Sequence, residues 1–257
     1  QQFSPFISIS DALVNNEVTS IIQDKNGFVW FGTRGGLQRF DGYEMKLLKN
    51  DFGKGNNLLS QSIEVLKNGQ GNNVWIGTKS GGLSSYDLTT GKISNYVNKQ
   101  TGATGFNGDY ILSILDTDTD KVFIGTWKGF QYLNKRTGEF VVLNSVWKTF
   151  DIQPDNEHGF WLATNGGLKH FNAQLKNDAS YNFGINGLNV TSIVHDKANN
   201  CLWLGTWDEG LIQFHLSTKK AIIFRYEKGN EQALSSNNTY KLLLDSKGSL
   251  WVGTWGG

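Results

Sequence analysis

The hydrophobic pattern of this chain is one of short runs, and one run recurs. An aromatic residue, an aliphatic or aromatic one, a small residue and Thr follow each other as Trp30-Phe31-Gly32-Thr33, Trp75-Ile76-Gly77-Thr78, Phe123-Ile124-Gly125-Thr126, Trp161-Leu162-Ala163-Thr164, Trp203-Leu204-Gly205-Thr206 and Trp251-Val252-Gly253-Thr254. Successive copies begin 38 to 48 residues apart. Unbroken apolar character, without polar alternation, predicts strands covered on both faces. A period in the forties is the length of a four-stranded propeller blade and exceeds most helical solenoid units. The expected fold is all-β, a propeller of four-stranded antiparallel blades with about six repeats. Function then belongs to a face of a ring, not to one buried dyad.

Each copy predicts the same local order. In the first, Val18 to Gln23 is β-rich, Asp24-Lys25-Asn26-Gly27 has hairpin chemistry, and Phe28 to Thr33 is the second strand. A turn at Arg34-Gly35-Gly36 leads to a third strand, Leu37 to Phe40, and Asp41-Gly42 turns into a fourth, Tyr43 to Leu48. Gly32 marks a place where a neighbour must approach closely. The blades are expected at 18–48, 62–97, 110–143, 147–183 and 190–226, with the first two strands of a sixth at 239–257, all in one domain over 1–257. The fourth is the most eroded, with Ala163 in place of Gly and a short outer strand near Ala179 to Phe183. The lead-in, 1–17, holds Phe6 to Ile9, an orphan outer strand of the kind that completes the last blade when the termini clasp. The sixth copy lacks its third strand, so the chain is expected to be a piece of a longer, seven-bladed propeller with ragged edges at its last blade.

Composition narrows the partners. Thirty-one Gly, two Pro and 13% aromatics suit many short strands joined by tight turns. Lys and Arg total 24 against 23 Asp and Glu, so no broad field exists to capture nucleic acid or anionic lipid. No apolar run approaches the roughly 20 residues that span a bilayer, and no direct membrane insertion by this segment is expected. Cys201 reads as a buried strand thiol.

The pattern of inner strand, Asp-x-x-Gly, Trp-aliphatic-Gly-Thr and Gly-Gly-Leu resembles the two-component regulator propeller repeat, with 24–42 a near-consensus copy and Leu234-Ser235-Ser236-Asn237 similar to its usual lead-in. The resemblance covers essentially the whole chain, the third and fourth copies departing most. It implies the periplasmic sensor region of a hybrid two-component system: two seven-bladed propellers, an immunoglobulin-like module, a membrane helix and a histidine kinase, homodimeric at full length. It further implies an oligosaccharide ligand released from a polysaccharide, and no enzymatic activity in this segment. A propeller-fold glycan lyase or hydrolase and a protein-interaction scaffold are the alternatives.

Six positions directly after the cassette Thr should ring one mouth: Arg34, Lys79, Trp127, Asn165, Trp207 and Trp255. Indoles stack on the apolar faces of sugars, and the Arg, Lys and Asn, with Asp208 and Glu209 nearby, suit hydroxyls or carboxylates. The competing reading makes these Trp packing caps between blades. The cassette aromatics Trp30, Trp75, Phe123, Trp161, Trp203 and Trp251 are assigned to packing, because a repeated feature solves a repeated structural problem. Asp116-Thr117-Asp118-Thr119-Asp120 begins like a calcium loop, but Lys121 and Trp127 stand where Gly and the bidentate Glu belong, leaving an acidic hairpin tip in solvent. His158, His170, His195 and His215 fall in different repeats without metal-ligand spacing, and solvated or strand-edge roles are expected. No catalytic motif, metal site or cofactor is predicted.

Overall fold

The computed structural model describes residues 12–48, 56–96 and 110–256. The expected strand at Phe6 to Ile9 and the terminal Val97 of the second blade lie outside these residues. Among the described residues every regular element is a strand, and there are 22 of them. The first sheet holds β1 (Val18–Gln23), β2 (Val29–Thr33), β3 (Gly36–Phe40) and β4 (Met45–Leu47); the second holds β5 (Ile63–Asn68), β6 (Asn73–Thr78), β7 (Leu83–Asp87) and β8 (Ile93–Tyr96). The third holds β9 (Ile111–Asp116), β10 (Lys121–Thr126), β11 (Gly129–Asn134) and β12 (Phe140–Asn144), and the fourth β13 (Thr149–Pro154), β14 (Phe160–Thr164), β15 (Gly167–Phe171) and β16 (Asn177–Tyr181). The fifth holds β17 (Asn189–Asp196), β18 (Cys201–Trp207), β19 (Leu211–His215) and β20 (Ala221–Phe224); β21 (Thr239–Leu244) and β22 (Leu250–Thr254) form a two-stranded sixth. Within every sheet, sequence neighbours are sheet neighbours, the meander of a propeller blade.

Several strand limits differ from the sequence pattern by a residue or two, and two of the shifts have a local reason. The Asp41 carboxylate accepts the amides of Tyr43 (2.9 Å) and Glu44 (2.8 Å), so the turn extends and β4 begins at Met45. In the fourth sheet β16 runs from Asn177 to Tyr181, ending before Phe183, because Asn182 opens a turn and Phe183 adopts a φ of 53°.

The chain divides into two compact units, Gln1–Val122 with Leu133–Phe140, and Phe123–Tyr132 with Val141–Gly257. In the first unit β5 packs on β1 and β2, and β9 on β5 and β6. Its core gathers Trp30, Leu37, Ile63, Leu66, Val74 and Ile76. Close approach explains Gly32: a Cβ there would lie 2.7 Å from Ile63 Cγ2 of the adjacent sheet. In the second unit β17 packs on β13 and β14, and β21 on β17 and β18, around Trp161, Leu168, Ile193, Leu202, Leu204 and Phe214.

The cassette Thr has a defined task. Thr33, Thr78, Thr126, Thr164 and Thr206 are fully buried, and each hydroxyl donates to the carbonyl of the Gly at or directly before the start of the next strand, at 2.6 to 3.2 Å. Each turn is thereby stapled from inside. The opening Gly is equally constrained. Gly210 has a φ of 82°, and a methyl group there would run into the Phe224 carbonyl.

The first strand of the first, second, fourth, fifth and sixth sheets carries a register shift near its start, between Val18 and Ser20, Ile63 and Val65, Thr149 and Asp151, Val190 and Ser192, and Thr239 and Lys241. Side chains at these bulges reach the neighbouring sheet. Thr19 Oγ1 donates to the Ile63 carbonyl (2.8 Å) and Thr191 Oγ1 to the Thr239 carbonyl (2.7 Å). Ser20 Oγ accepts from the Leu66 amide (3.0 Å), and Asp151 Oδ2 from the Ile193 amide (3.0 Å).

Candidate functional site

Every sheet presents two ends. One carries the turn after the cassette Thr, where the mouth residues were expected, and the other carries the hairpins between first and second strands.

At the Thr end of the first unit, Arg34 Nε binds Glu17 Oε1 at 3.0 Å, and the guanidinium also pairs with the buried Glu64. Burial opposes the Arg34 charge, but hydrogen bonds to Glu17 and Tyr110 outweigh it and hold the group above its ordinary value. Lys79 is exposed, its ammonium 5.9 Å from the Tyr110 ring centre. Arg34 and Lys79 thus meet at one tyrosine.

At the same end of the second unit, Trp127 is 45% exposed and carries the Lys148 ammonium 3.7 Å over its ring. The Lys148 amide donates to Asn165 Oδ1 (2.9 Å), so Trp127 and Asn165 are joined through one lysine. Trp207 (44% exposed) closes β18 opposite Asn189, and Trp255 is 68% exposed. The Asp208 amide donates to Asn238 Oδ1 (2.8 Å) and the Trp255 amide to the Asn238 carbonyl (2.8 Å), while Glu209 pairs with Arg225 at 2.7 Å. Expected mouth residues therefore form small groups with neighbours that the sequence pattern did not single out: Glu17, Glu64, Tyr110, Lys148, Arg225 and Asn238.

The opposite end explains the cassette aromatics. Asp24 accepts the amides of Asn26 (2.8 Å) and Phe28 (3.1 Å) on Oδ1 and the Trp30 indole (2.7 Å) on Oδ2. Asp245 repeats this at the same offsets, with Lys247 and Ser249 (each 2.9 Å) and the Trp251 indole (2.9 Å). Trp75 donates instead to Asp116 of the next sheet at 2.8 Å. Asp116 is buried and also meets Lys135 at 2.9 Å, so the expected solvated acidic tip begins only beyond it. Trp30, Trp75, Phe123 and Trp161 are buried and Trp203 is half-buried; Trp251 is 63% exposed, because β22 pairs with β21 alone.

The fourth sheet breaks the rule. Asp155 accepts the amides of Glu157 and Gly159 at 2.7 Å each, as its counterparts do, but its Oδ2 is taken by His170 Nε2 at 2.8 Å. His170 Nδ1 meets Asp178 Oδ1 at 2.6 Å, and its ring lies 4.4 Å from that of Trp161. Burial pushes the Asp155 carboxyl up, but the hydrogen bonds from His170, Glu157 and Gly159 prevail and hold it below the ordinary range. His195, on β17, has buried ring nitrogens, and burial lowers its affinity for a proton. His170 and His195 are thus not solvated edge residues; His158 is exposed in a turn, as expected. The signal was readable only in register: the residue opposite the cassette aromatic is Arg39, Ser85 or Gln213 elsewhere and His170 here.

Two stretches of the chain, 12–35 and 233–256, match the sequence model of the two component regulator propeller. Histidine kinase P4 of Formosa agariphila is 27% identical over 187 residues, 72% of this chain and 11% of that protein. In structure the chain is similar to the extracellular domain of a hybrid two component system from B. thetaiotaomicron, with a TM-score of 0.73 and 23% identity over 95% of this chain and 39% of that one. A second extracellular domain from the same organism, of a one component system, gives a TM-score of 0.66 and 21% identity over 93% and 37%. The chain spans about a tenth of the curated relative and under two fifths of each solved domain. At these identities the solved domains speak for the fold, a propeller of four-stranded blades. The match to the two component regulator propeller falls on the first two strands of the first described sheet and on the two strands of the last.

Proposed function

We propose that the chain is the N-terminal part of the ligand-sensing propeller of a hybrid two-component system, held in the periplasm and dimeric at full length. Its ligand is an oligosaccharide derived from a polysaccharide, bound at the Thr ends of the sheets, and the occupancy passes to a histidine kinase elsewhere in the protein. One observation carries the reading: exposed indoles at Trp127, Trp207 and Trp255 stand beside polar groups that suit sugar hydroxyls, Lys148 and Asn165 in one case, Asn238 in the others. The similar extracellular domains of two-component systems support the cellular side of the proposal. Binding rather than turnover is supported by Glu17, Glu64 and Glu209, which are engaged by Arg34 and Arg225 and so are not poised as a catalytic acid and base. Signalling requires the ligand to favour one arrangement of the sensor over another.

The test is calorimetry with a glycan panel on the complete periplasmic region, followed by Trp127→Ala, Trp207→Ala and Trp255→Ala. Loss of a base-stacking-sized contact should weaken binding about tenfold, roughly 1.4 kcal/mol, in at least one variant. Equal affinity in all three variants overturns the assignment of the mouth.

A further inference from the structure

At the Thr end of the fourth sheet, the segment that leads into β13 lies against the turn between β14 and β15. The Asn165 amide donates to the Lys148 carbonyl (3.3 Å), and the Lys148 amide to Asn165 Oδ1 (2.9 Å). Trp147 covers this turn so closely that a Cβ on Gly166 would lie 3.0 Å from its Cδ1 and 3.2 Å from its Nε1. The Lys169 ammonium sits 4.7 Å from the Trp147 ring centre, and that of Lys148 sits 3.7 Å from the ring centre of Trp127. All these residues belong to the second compact unit.

Lys169 departs from the repeat. It is 8% exposed, and lysines are almost never buried to that degree without an acid beside them. Register shows what the other sheets put there: Gln38 opposite Phe31, Ser84 opposite Ile76 and Ile212 opposite Leu204, against Lys169 opposite Leu162. Gln38 uses both ends of its amide on the segment before β1, donating to the Ala12 carbonyl (2.8 Å) and accepting the Val14 amide (2.7 Å). Lys169 has only an indole face, and burial pushes its ammonium below the ordinary lysine value with no acid to hold it up. Lys148 likewise lacks a carboxylate partner among the described residues. Asp151, three residues further on, is engaged by the amides of Ile152 (2.9 Å) and Ile193 (3.0 Å).

Two neutral donors stand at the same turn. Trp147 Nε1 and Asn165 Nδ2 make no hydrogen bond among the described residues, yet neither is sealed from solvent, and the same holds for both ammonium groups. The turn therefore carries four donors reachable from outside, two of them cationic, and no acidic side chain engages any of them.

We propose that this turn holds the anionic group of an acidic sugar, a carboxylate or a sulfate ester on the ring, paired with Lys169 and with Trp147 Nε1, Asn165 Nδ2 and Lys148 as the further donors. The inference rests on the sugar-binding mouth and narrows its ligand to oligosaccharides that bring a charged ring substituent to the fourth sheet. Donors without a matching acceptor suit an oxyanion, which only accepts, better than a hydroxyl, which also donates. A nearly buried ammonium is screened little by salt, so it attracts an anion more strongly than a surface lysine does. A nucleic acid is disfavoured, because the net charge of +1 gives no wider field for a phosphate backbone.

The experiment is calorimetry on the complete periplasmic region with matched pairs of oligosaccharides: oligouronates against their methyl esters, and sulfated galactan fragments against their desulfated forms. At least one acidic member should bind about tenfold more tightly than its neutral counterpart, and the pair that shows this tells carboxylate from sulfate. Lys169→Gln, the side chain that the first sheet uses at this place, should erase the preference and flatten its salt dependence while changing the neutral member's affinity less than about twofold. Lys169→Arg should keep the preference. Equal binding of acidic and neutral members in the parent, an unchanged preference in Lys169→Gln, or a loss shared equally by both members would each overturn the proposal. Those results leave the mouth standing. Conversely, an acidic preference that depends on Lys169 but ignores Trp127→Ala, Trp207→Ala and Trp255→Ala would remove the mouth and keep the anion site, and absence of any binding overturns both.

Discussion

Replacing Asp24 by Ala tests the account of the cassette tryptophan most directly. The carboxylate is 4% exposed and receives three donors, the amides of Asn26 and Phe28 and the Trp30 indole. Trp30 is fully buried, so its N–H finds no water when the acid is removed. A buried hydrogen bond to a charged acceptor is worth ~1.5–3 kcal/mol, and the two turn amides, nearer solvent, add ~0.5–1 each. The expected loss is therefore ~2.5–5 kcal/mol. Urea unfolding is the assay, with hydrogen exchange at the β1 and β2 amides, because two compact units need not unfold together. Trp30→Phe alone and with Asp24→Ala completes a double-mutant cycle, whose coupling should be ~1.5–3 kcal/mol. Asp245→Ala removes the same three bonds in an exposed setting and should cost less. A coupling below ~0.5 kcal/mol between Asp24 and Trp30 would refute the reasoning.

Gly210→Ala forces a side chain into a φ of 82° and against the Phe224 carbonyl, so it should cost at least ~1–3 kcal/mol and strip exchange protection from β20 before β18. Asp155 has a depressed pKa, so its contribution to stability is present above the ordinary carboxyl value of 3.8 and is lost as pH falls through the lower folded value; Asp155→Asn should flatten that acid limb in pH-dependent unfolding. His195 is also depressed, from 6.5, but with the opposite charge change. The unfolded chain takes up the proton first, so stability is complete above 6.5 and declines as pH falls below it, and His195→Gln should remove that slope in unfolding curves between about pH 5 and 7.

Much of the fold was legible because a propeller blade writes the same solution several times. The apolar second strand, the hairpin Asp and the Gly-Gly-Leu turn each identify a location without any knowledge of the others, and β2, β6, β14 and β18 fall on their cassettes. Strand limits were less legible, since they depend on side-chain capping such as Asp41 on Tyr43 and Glu44. The residues that surround Asp155 were hidden for a different reason. His170 lies nine residues after Trp161, and only the antiparallel register of β14 and β15 makes them opposite. His195 comes from another sheet altogether. A periodic pattern reports what repeats; the diverted Asp155 is an exception to the repeat and leaves no periodic trace. The exposure of Trp251 was likewise unreadable from its cassette, which is as regular as that of Trp30.

The bulges at the first strands bear on how a blade can move. Thr19 and Ser20 tie the first sheet to the second, Asp151 ties the fourth to the fifth and Thr191 the fifth to the sixth, each near the start of a first strand. Directional bonds of this kind resist sliding, because a shift of one residue would break them and expose their donors and acceptors together. Neighbouring sheets at these junctions are therefore bound like pages at a spine and held against lengthwise slip. A relative motion that keeps these bonds intact is a hinge about the first strands and not a slide.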